Sequence, residues 1–290
     1  DNSWLRPVNR MLIFAIAAVG LNLLSGVAGQ VSLGHAFFMG VGASTAVLVG
    51  GADTSRLWGW GLPMWIWLPA AGLVAAAVGV LVAPAAVRVR GLYLGIATIG
   101  LVFIGIHLSR VFPEIAGPPQ LGRKWPRLEL RFWKEETPFV DFSRKGHWLW
   151  FDIGNNQKTY LLLLVILLVL SLVAANLARS RTGRSWAAIR DRDVAAEIMG
   201  VHEFRAKTTA FAISSFYAGV AGALFASLSG YMYPEAWNLL LSVEMIAILL
   251  IGGMGRISGA LMGSFFVALS PRFLEESVRW AAEQAEGDGV

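Results

Sequence analysis

The run Leu161–Ala175 is built of Leu, Val, Ile and Ala, broken only by Ser171. A spanning helix needs about 20 mostly apolar residues to cross a hydrocarbon core of roughly 30 Å. With its flanks, Thr159–Ala178, this stretch meets that length. Comparable segments are Val8–Ala28, Val31–Gly50, Leu62–Val87, Leu92–Phe112, Thr208–Tyr231 and Leu239–Leu269, the last interrupted at Gly252-Gly253-Met254-Gly255. Composition agrees: hydrophobic residues make up 56% of the chain and charged ones 15%, too few charges to cover a soluble domain of this length. The pattern predicts an all-α, polytopic membrane protein of about seven to nine helices, a single transmembrane domain over residues 1–290. A polar region, 113–158, and a charged loop, 179–207, interrupt it.

Orientation follows from Lys and Arg in short loops, which stay cytoplasmic. The loop 179–207 carries Arg179, Arg181, Arg184, Arg190, Arg192, Arg205 and Lys207, and the short turn near residue 90 carries Arg88 and Arg90. Both are expected inside, which places 113–158 outside. The Trp-rich stretches there, Arg123-Lys124-Trp125-Pro126 and Arg131-Phe132-Trp133-Lys134, read either as a flap whose tryptophans sit at headgroup level or as a docking surface. If Val8–Ala28 and Val31–Gly50 are both full spans, residue 1 is external and a preceding helix is missing. If they form one broken crossing, residue 1 is cytoplasmic.

The net charge of +5 does not point to nucleic acid, because the arginines lie between apolar runs where juxtamembrane cations belong. There is no cysteine, and histidines 35, 107, 147 and 202 lie at no metal-ligand spacing. No Gly-rich loop precedes Lys-Ser or Lys-Thr, so the chain has no Walker site for ATP. No catalytic constellation, cofactor motif or metal set stands out.

Two glycine-rich breaks interrupt the apolar segments: Gly26–His35 and Gly252–Gly259. Backbone freed from a helix inside lipid costs several kcal/mol per unsatisfied group, so such breaks survive where protein or a hydrated cavity covers them. Broken or re-entrant segments in corresponding halves are the best sequence pointer to a transporter's central pathway. Close helix packing through small residues is the competing reading. The pathway candidates are Asn22, Gly29, Gln30, Ser32, Gly34 and His35 at the first break and Gly252, Gly253 and Gly255 at the second. Ser32 and His35 share a face if that stretch is helical. Glu244, ionisable and within the final apolar run, is either functional or a helix-start carboxylate near the outer interface.

In the charged loop, Asp193 reads as an N-cap and Gly200 as the residue just past a helix end. The short helix between them needs a surface to pack on. Ile198 and Met199 offer apolar contact, and Arg190, Asp191, Arg192 and Glu197 a charged rim, around Ala196. It is either a peg for a soluble partner or a helix lying on its own membrane domain.

At these residues the chain resembles the M-type permease subunits of branched-chain amino-acid ABC importers. The resemblance is carried by Gly20–Gly26 and Gly29–Phe37, by Arg90–Thr98, by Arg181-Thr182-Gly183-Arg184 with Ala187–Asp191 and Ala195–Gly200, and by Gly252–Gly255 with Gly259. It departs at Glu114–Gln120, where the family usually has a Gly-Gly-Ser/Thr segment. It also departs at Arg256 and Ser258-Gly259-Ala260, where the family often has Thr and Gly-Pro. The resemblance implies two related halves in a prokaryotic inner membrane. It implies a second, H-type permease partner, two cytoplasmic ATPase subunits that hydrolyse the ATP, and an extracytoplasmic substrate-binding protein. It also implies that Val194–Gly200 sits in a cleft on one ATPase and that both breaks line the route. An ion-coupled transporter, or a same-family importer of urea, amides or aromatic and other organic acids, are the alternatives.

Overall fold

A computed structural model of the chain describes residues 2–51, 57–89, 91–117, 122–125, 128–130, 140–142, 146–148 and 151–287. Among these the backbone forms α1 (Asn2–Leu21), α2 (His35–Gly50), α3 (Met64–Arg88), α4 (Leu92–Val111), the single turn α5 (Pro113–Ala116), α6 (Asn155–Arg179), α7 (Arg181–Ile198), α8 (Glu203–Ser229), α9 (Leu239–Gly252) and α10 (Ile257–Gly287). Six are long and apolar enough to cross a bilayer: α1 with the π-turn Asn22–Val27 that continues it, α3, α4, α6, α8 and α10. Helices α2 and α9 are apolar but shorter.

Burial sorts these helices by position. Residues Leu12–Leu24, in α1 and the π-turn that continues it, are buried throughout, and α8 is buried along most of its length, so these two are central. Helix α6 is peripheral: Leu161, Val165, Leu168, Val169, Leu172 and Val173 form an exposed apolar stripe at helical spacing. Such a stripe suits lipid and no aqueous surface. Because lipid is as apolar as Leu, association of the central helices depends on close packing through small residues. Helices α2 and α8 meet this way: a Cβ on Gly42 would fall 2.2 Å from the carbonyl oxygen of Gly219, and one on Gly222 would fall 2.0 Å from that of Met39.

The amphipathic α7 defines one face of the bundle, shared by the ends of α1, α3 and α6 and the starts of α4 and α8. The opposite face gathers the starts of α1 and α6, where Asn9 Nδ2 donates to the Asn156 carbonyl at 3.2 Å. It also carries the end of α8, where Trp125 N–H donates to the Gly230 carbonyl at 3.0 Å.

On that opposite face the strand Arg123–Lys124 pairs antiparallel with Tyr231–Met232. Arg123 is buried, and its guanidinium donates to the carbonyl oxygens of Glu114 at 3.1 Å, Ile115 at 3.2 Å and Trp58. One cation thus ties three segments together, satisfying carbonyls of the single turn α5 and of the loop before α3. Two more short hairpins pair Glu129–Leu130 with Val140–Asp141 and Gly146–Trp148 with Phe151–Ile153. Trp125 of this stretch is buried, its ring edge-on to Trp67 with centroids 6.2 Å apart. Pro126, the stretch Arg131–Lys134, Pro118–Gln120 and Arg90 lie outside the described residues.

The apolar stretch Leu239–Leu269, read above as one interrupted segment, is a helical hairpin. Gly252 lies against the Gly259 carbonyl and Gly263 against that of Ile248, so α10 doubles back along α9. The hairpin turn is Gly253–Arg256. Any side chain at Gly252, Gly259 or Gly263 would strike the facing backbone, which is why glycines recur on both arms.

Candidate coupling and translocation site

The first break is built in three steps. Helix α1 widens into the π-turn Asn22–Val27, and its last bonds run from Ala28 N–H to the Leu23 carbonyl and from Gln30 N–H to the Leu24 carbonyl, both 3.0 Å. Non-helical backbone then climbs from Ala28 to Gly34. Helix α2 starts at His35, whose Nε2 lies 3.0 Å from the Ala17 carbonyl oxygen. A carbonyl only accepts, so Nε2 carries the proton. Ala17 precedes Val27 by about 15 Å of helix rise, so α2 begins far up the α1 wall.

Side chains satisfy the freed backbone. Leu33 N–H donates to Thr98 Oγ1 at 2.9 Å, Gly34 N–H to Ser32 Oγ at 3.4 Å, and Ala36 N–H to the fully buried Ser242 Oγ at 3.0 Å. Ser25 Oγ donates to the Gln30 carbonyl at 3.0 Å. This is the cover that broken backbone needs in lipid, supplied by protein. Ser32 lies on the climbing strand and His35 opens the helix, so the two do not share a helical face.

The second break meets the first. Asn22 Oδ1 accepts from Gly255 N–H at 2.8 Å, and Gly26 abuts the Gly255 backbone. Both breaks therefore converge at the α7 face, at the foot of α1 and the tip of the hairpin. At the hairpin tip Gly253 and Gly255 are exposed on this chain, whereas Gly34 and His35 are buried against α1.

Helix α7 brings the charged loop to this junction. Ser180 caps it, accepting from Gly183 N–H at 3.4 Å. Trp186 is buried and its Nε1 donates to the Ala206 carbonyl at 2.9 Å and to Thr209 Oγ1 at 3.2 Å, fixing α7 on the foot of α8. Arg190, one turn on, donates through its guanidinium to the carbonyl oxygen of Gly26. The same guanidinium lies beside Gly255. Gly29 has φ +69°, and a Cβ there would fall 2.7 Å from Arg190 Cγ, so the first break can pass over the arginine stem only as glycine.

Beyond Arg190 the helix kinks. Arg192 is extended, at φ −155° and ψ 99°, and a new short helix starts at Asp193, whose carboxylate accepts from Val194 N–H at 2.9 Å. It closes in a Schellman motif: Val201 N–H bonds to the Ala196 carbonyl and Gly200 N–H to that of Glu197, both at 2.9 Å, with Gly200 at φ +86°. Ala196 is buried, whereas Val194 is 62%, Ile198 81% and Met199 83% exposed. Asp191 and Glu197 are also exposed. The apolar tip thus projects away from the membrane domain instead of lying on it.

Glu244 is removed from the junction. On α9, half-buried, it pairs with Arg10 of α1 at 3.4 Å, and that guanidinium rests on the Phe14 ring. Gly252 packs within the hairpin. Among the described residues no group of His, Asp and Glu is placed to hold a metal ion. The sequence reading left Thr98, Ser242 and Gly26 out of the pathway candidates, although Gly26 opens the first break. Their signals were a hydroxyl within each of two apolar runs and one more glycine at the first break.

Comparison with known proteins adds a family. The profile described as "Branched-chain amino acid transport system / permease component" matches residues 5–284. The high-affinity branched-chain amino acid transport system permease protein LivM of Escherichia coli (strain K12) is 34% identical over 274 residues, covering 91% of this chain and 62% of that protein. The Salmonella typhimurium LivM is 33% identical over the same shares. The autoinducer 2 import system permease protein LsrC of Enterobacter sp. (strain 638) is 34% identical over 110 residues, covering 36% of this chain and 32% of its own. The chain spans about 62% of the length of the two LivM proteins. No solved structure matches it.

Proposed function

Because this chain belongs to the branched-chain amino acid transport permease family, we propose that it forms one membrane subunit of an ABC importer for a branched-chain amino acid or a similar small polar solute. The family is one of membrane transport components, not enzymes. The chain is a multi-pass protein of the prokaryotic inner membrane. In this reading the α7 face is cytoplasmic, as its arginines require. An H-type permease subunit completes the route, two ATPase subunits dock beneath, and a binding protein delivers solute from the opposite face.

One observation carries the proposal: a single arginine, Arg190, joins a projecting apolar tip to both glycine breaks. Val194, Ile198 and Met199 are the surface an ATPase cleft covers. Movement of that tip turns the kinked α7 about its Trp186 mount, and Arg190 carries the displacement to Gly26 and, through Asn22, to Gly255. The breaks are suited to follow because their backbone is held by single side-chain bonds in place of a continuous helical ladder. ATP hydrolysis on the partners then alternately opens and closes the junction.

The rival, ion-coupled transport, needs a carboxylate free to load and release a cation in the route. Glu244 instead sits in an ion pair with Arg10, away from the junction.

The test is assembly. The chain, co-expressed with its neighbouring gene products, is purified through a tag. It should bring down an ATPase, and Ile198→Glu with Met199→Glu should abolish that association. Unchanged association, or solute uptake driven by an ion gradient without ATP, contradicts the reading.

A further inference from the structure

Under the first break lies a polar cavity of about 140 Å³. Its walls come from the break itself, from the α3–α4 turn, from α7 and from the foot of α8. Gln30 lines it. That side chain is 5% exposed, and neither its Oε1 nor its Nε2 has a hydrogen-bond partner. A buried amide left unpaired is costly, so such a group is an explicit candidate for a ligand's bonds. Facing it are Arg190, Asp193 and Lys207. Lys207 is buried and ion-paired with Glu203, and Arg190 already donates to Gly26. Cations and a carboxylate therefore share one small chamber with an amide that both donates and accepts.

We infer that this cavity is an exit subsite for the α-ammonium and α-carboxylate groups of a zwitterionic amino acid. The inference rests on the proposed function and deepens it. A simple anion meets the Asp193 carboxylate, and a simple cation meets the Arg190 guanidinium, Lys207 being neutralised by Glu203. A zwitterion satisfies both signs, its carboxylate toward Arg190 and Gln30 Nε2, its ammonium toward Asp193 and Gln30 Oε1. The volume suits an α-amino carboxylate group rather than a single water. Because α7 supplies part of the wall, any shift of Arg190 reshapes the chamber, so release is tied to the same helix that carries the docking tip. Low affinity is in keeping with an exit, since a solute held tightly there would not leave.

The chain has no native cysteine, so one introduced thiol reports alone from this subunit. In the reconstituted importer, Val89→Cys in the cavity wall is modified with a small methanethiosulfonate reagent, partner subunits lacking cysteine being used. L-Leucine on the order of 10 mM should slow modification about tenfold, as a Kd near 1 mM requires. The same molecule without its ammonium group (4-methylpentanoate) or without its carboxylate (3-methylbutylamine) should not. Gln30→Leu in the same background should remove the protection. Leu94→Cys serves if Val89→Cys fails to assemble. Protection by none of the three, or equally by 4-methylpentanoate or inorganic phosphate, overturns the subsite. ATP-driven leucine uptake by the parent complex is measured in parallel. Uptake without protection removes the subsite and leaves the importer; protection without ATP-driven uptake does the reverse.

Discussion

Asn22 Oδ1 accepts a hydrogen bond from the backbone N–H of Gly255, 2.8 Å away across a sequence separation of 233 residues. This bond joins the two broken segments of the chain, and the guanidinium of Arg190 lies against both of them. Asn22→Ala removes the acceptor and leaves a gap at a fully buried position. The loss is about 1–3 kcal/mol, read as a lower melting temperature of the purified protein in detergent. Uptake should fall more than stability does, because the hairpin tip is no longer tied to α1.

Gly29→Ala tests the passage of the first break over Arg190. The positive φ alone costs roughly 1–2 kcal/mol for a residue with a Cβ. The added carbon also falls 2.7 Å from Arg190 Cγ and must displace that side chain. The variant should assemble with the ATPase and hydrolyse ATP, yet move little solute. Gly61→Ala is the control: it shares a positive φ, at +61°, with nothing near its Cβ. It should keep uptake near the parent level.

Glu244→Gln separates the two transport classes. Its pair with Arg10 is partly exposed, so its contribution to stability is about 0–1 kcal/mol. ATP-driven uptake in vesicles should remain near the parent value, with no dependence on proton or sodium gradients in either protein.

Arg123→Met addresses the opposite face. Three carbonyl oxygens lose a buried charged donor at once. At about 1.5–3 kcal/mol for a bond to a charged group, the region 113–158 should become a site of rapid limited proteolysis, while the α7 face keeps its protection.

How much of this was legible in the sequence depends on which signal carried each part. The spanning helices were legible because their apolar runs exceed any soluble alternative, as in Leu161–Ala175 of α6. The Gly200 helix end was legible because a positive φ favours glycine there. The hairpin at Gly253–Arg256 was not, because apolarity is the same along a helix that continues and one that turns back. What marks the reversal is the spacing of Gly252, Gly259 and Gly263, which has meaning only when two arms face each other. The first turns of α7 were hidden for a different reason. Their stability comes from Trp186 docked on Ala206 and Thr209, a contact between segments that no local propensity reports. Arg190 read as one of several charges on a rim, and its bond to Gly26 depends wholly on where α7 is held.

The most direct test of the account is Arg190→Met in the reconstituted importer, with ATP hydrolysis and solute uptake measured in the same vesicles. Hydrolysis should stay within about twofold of the parent while uptake falls roughly tenfold or more, a loss of at least ~1.4 kcal/mol in the coupled step. Uptake that persists in its parental ratio to hydrolysis contradicts the claim that Arg190 carries motion from the docking tip to the two breaks.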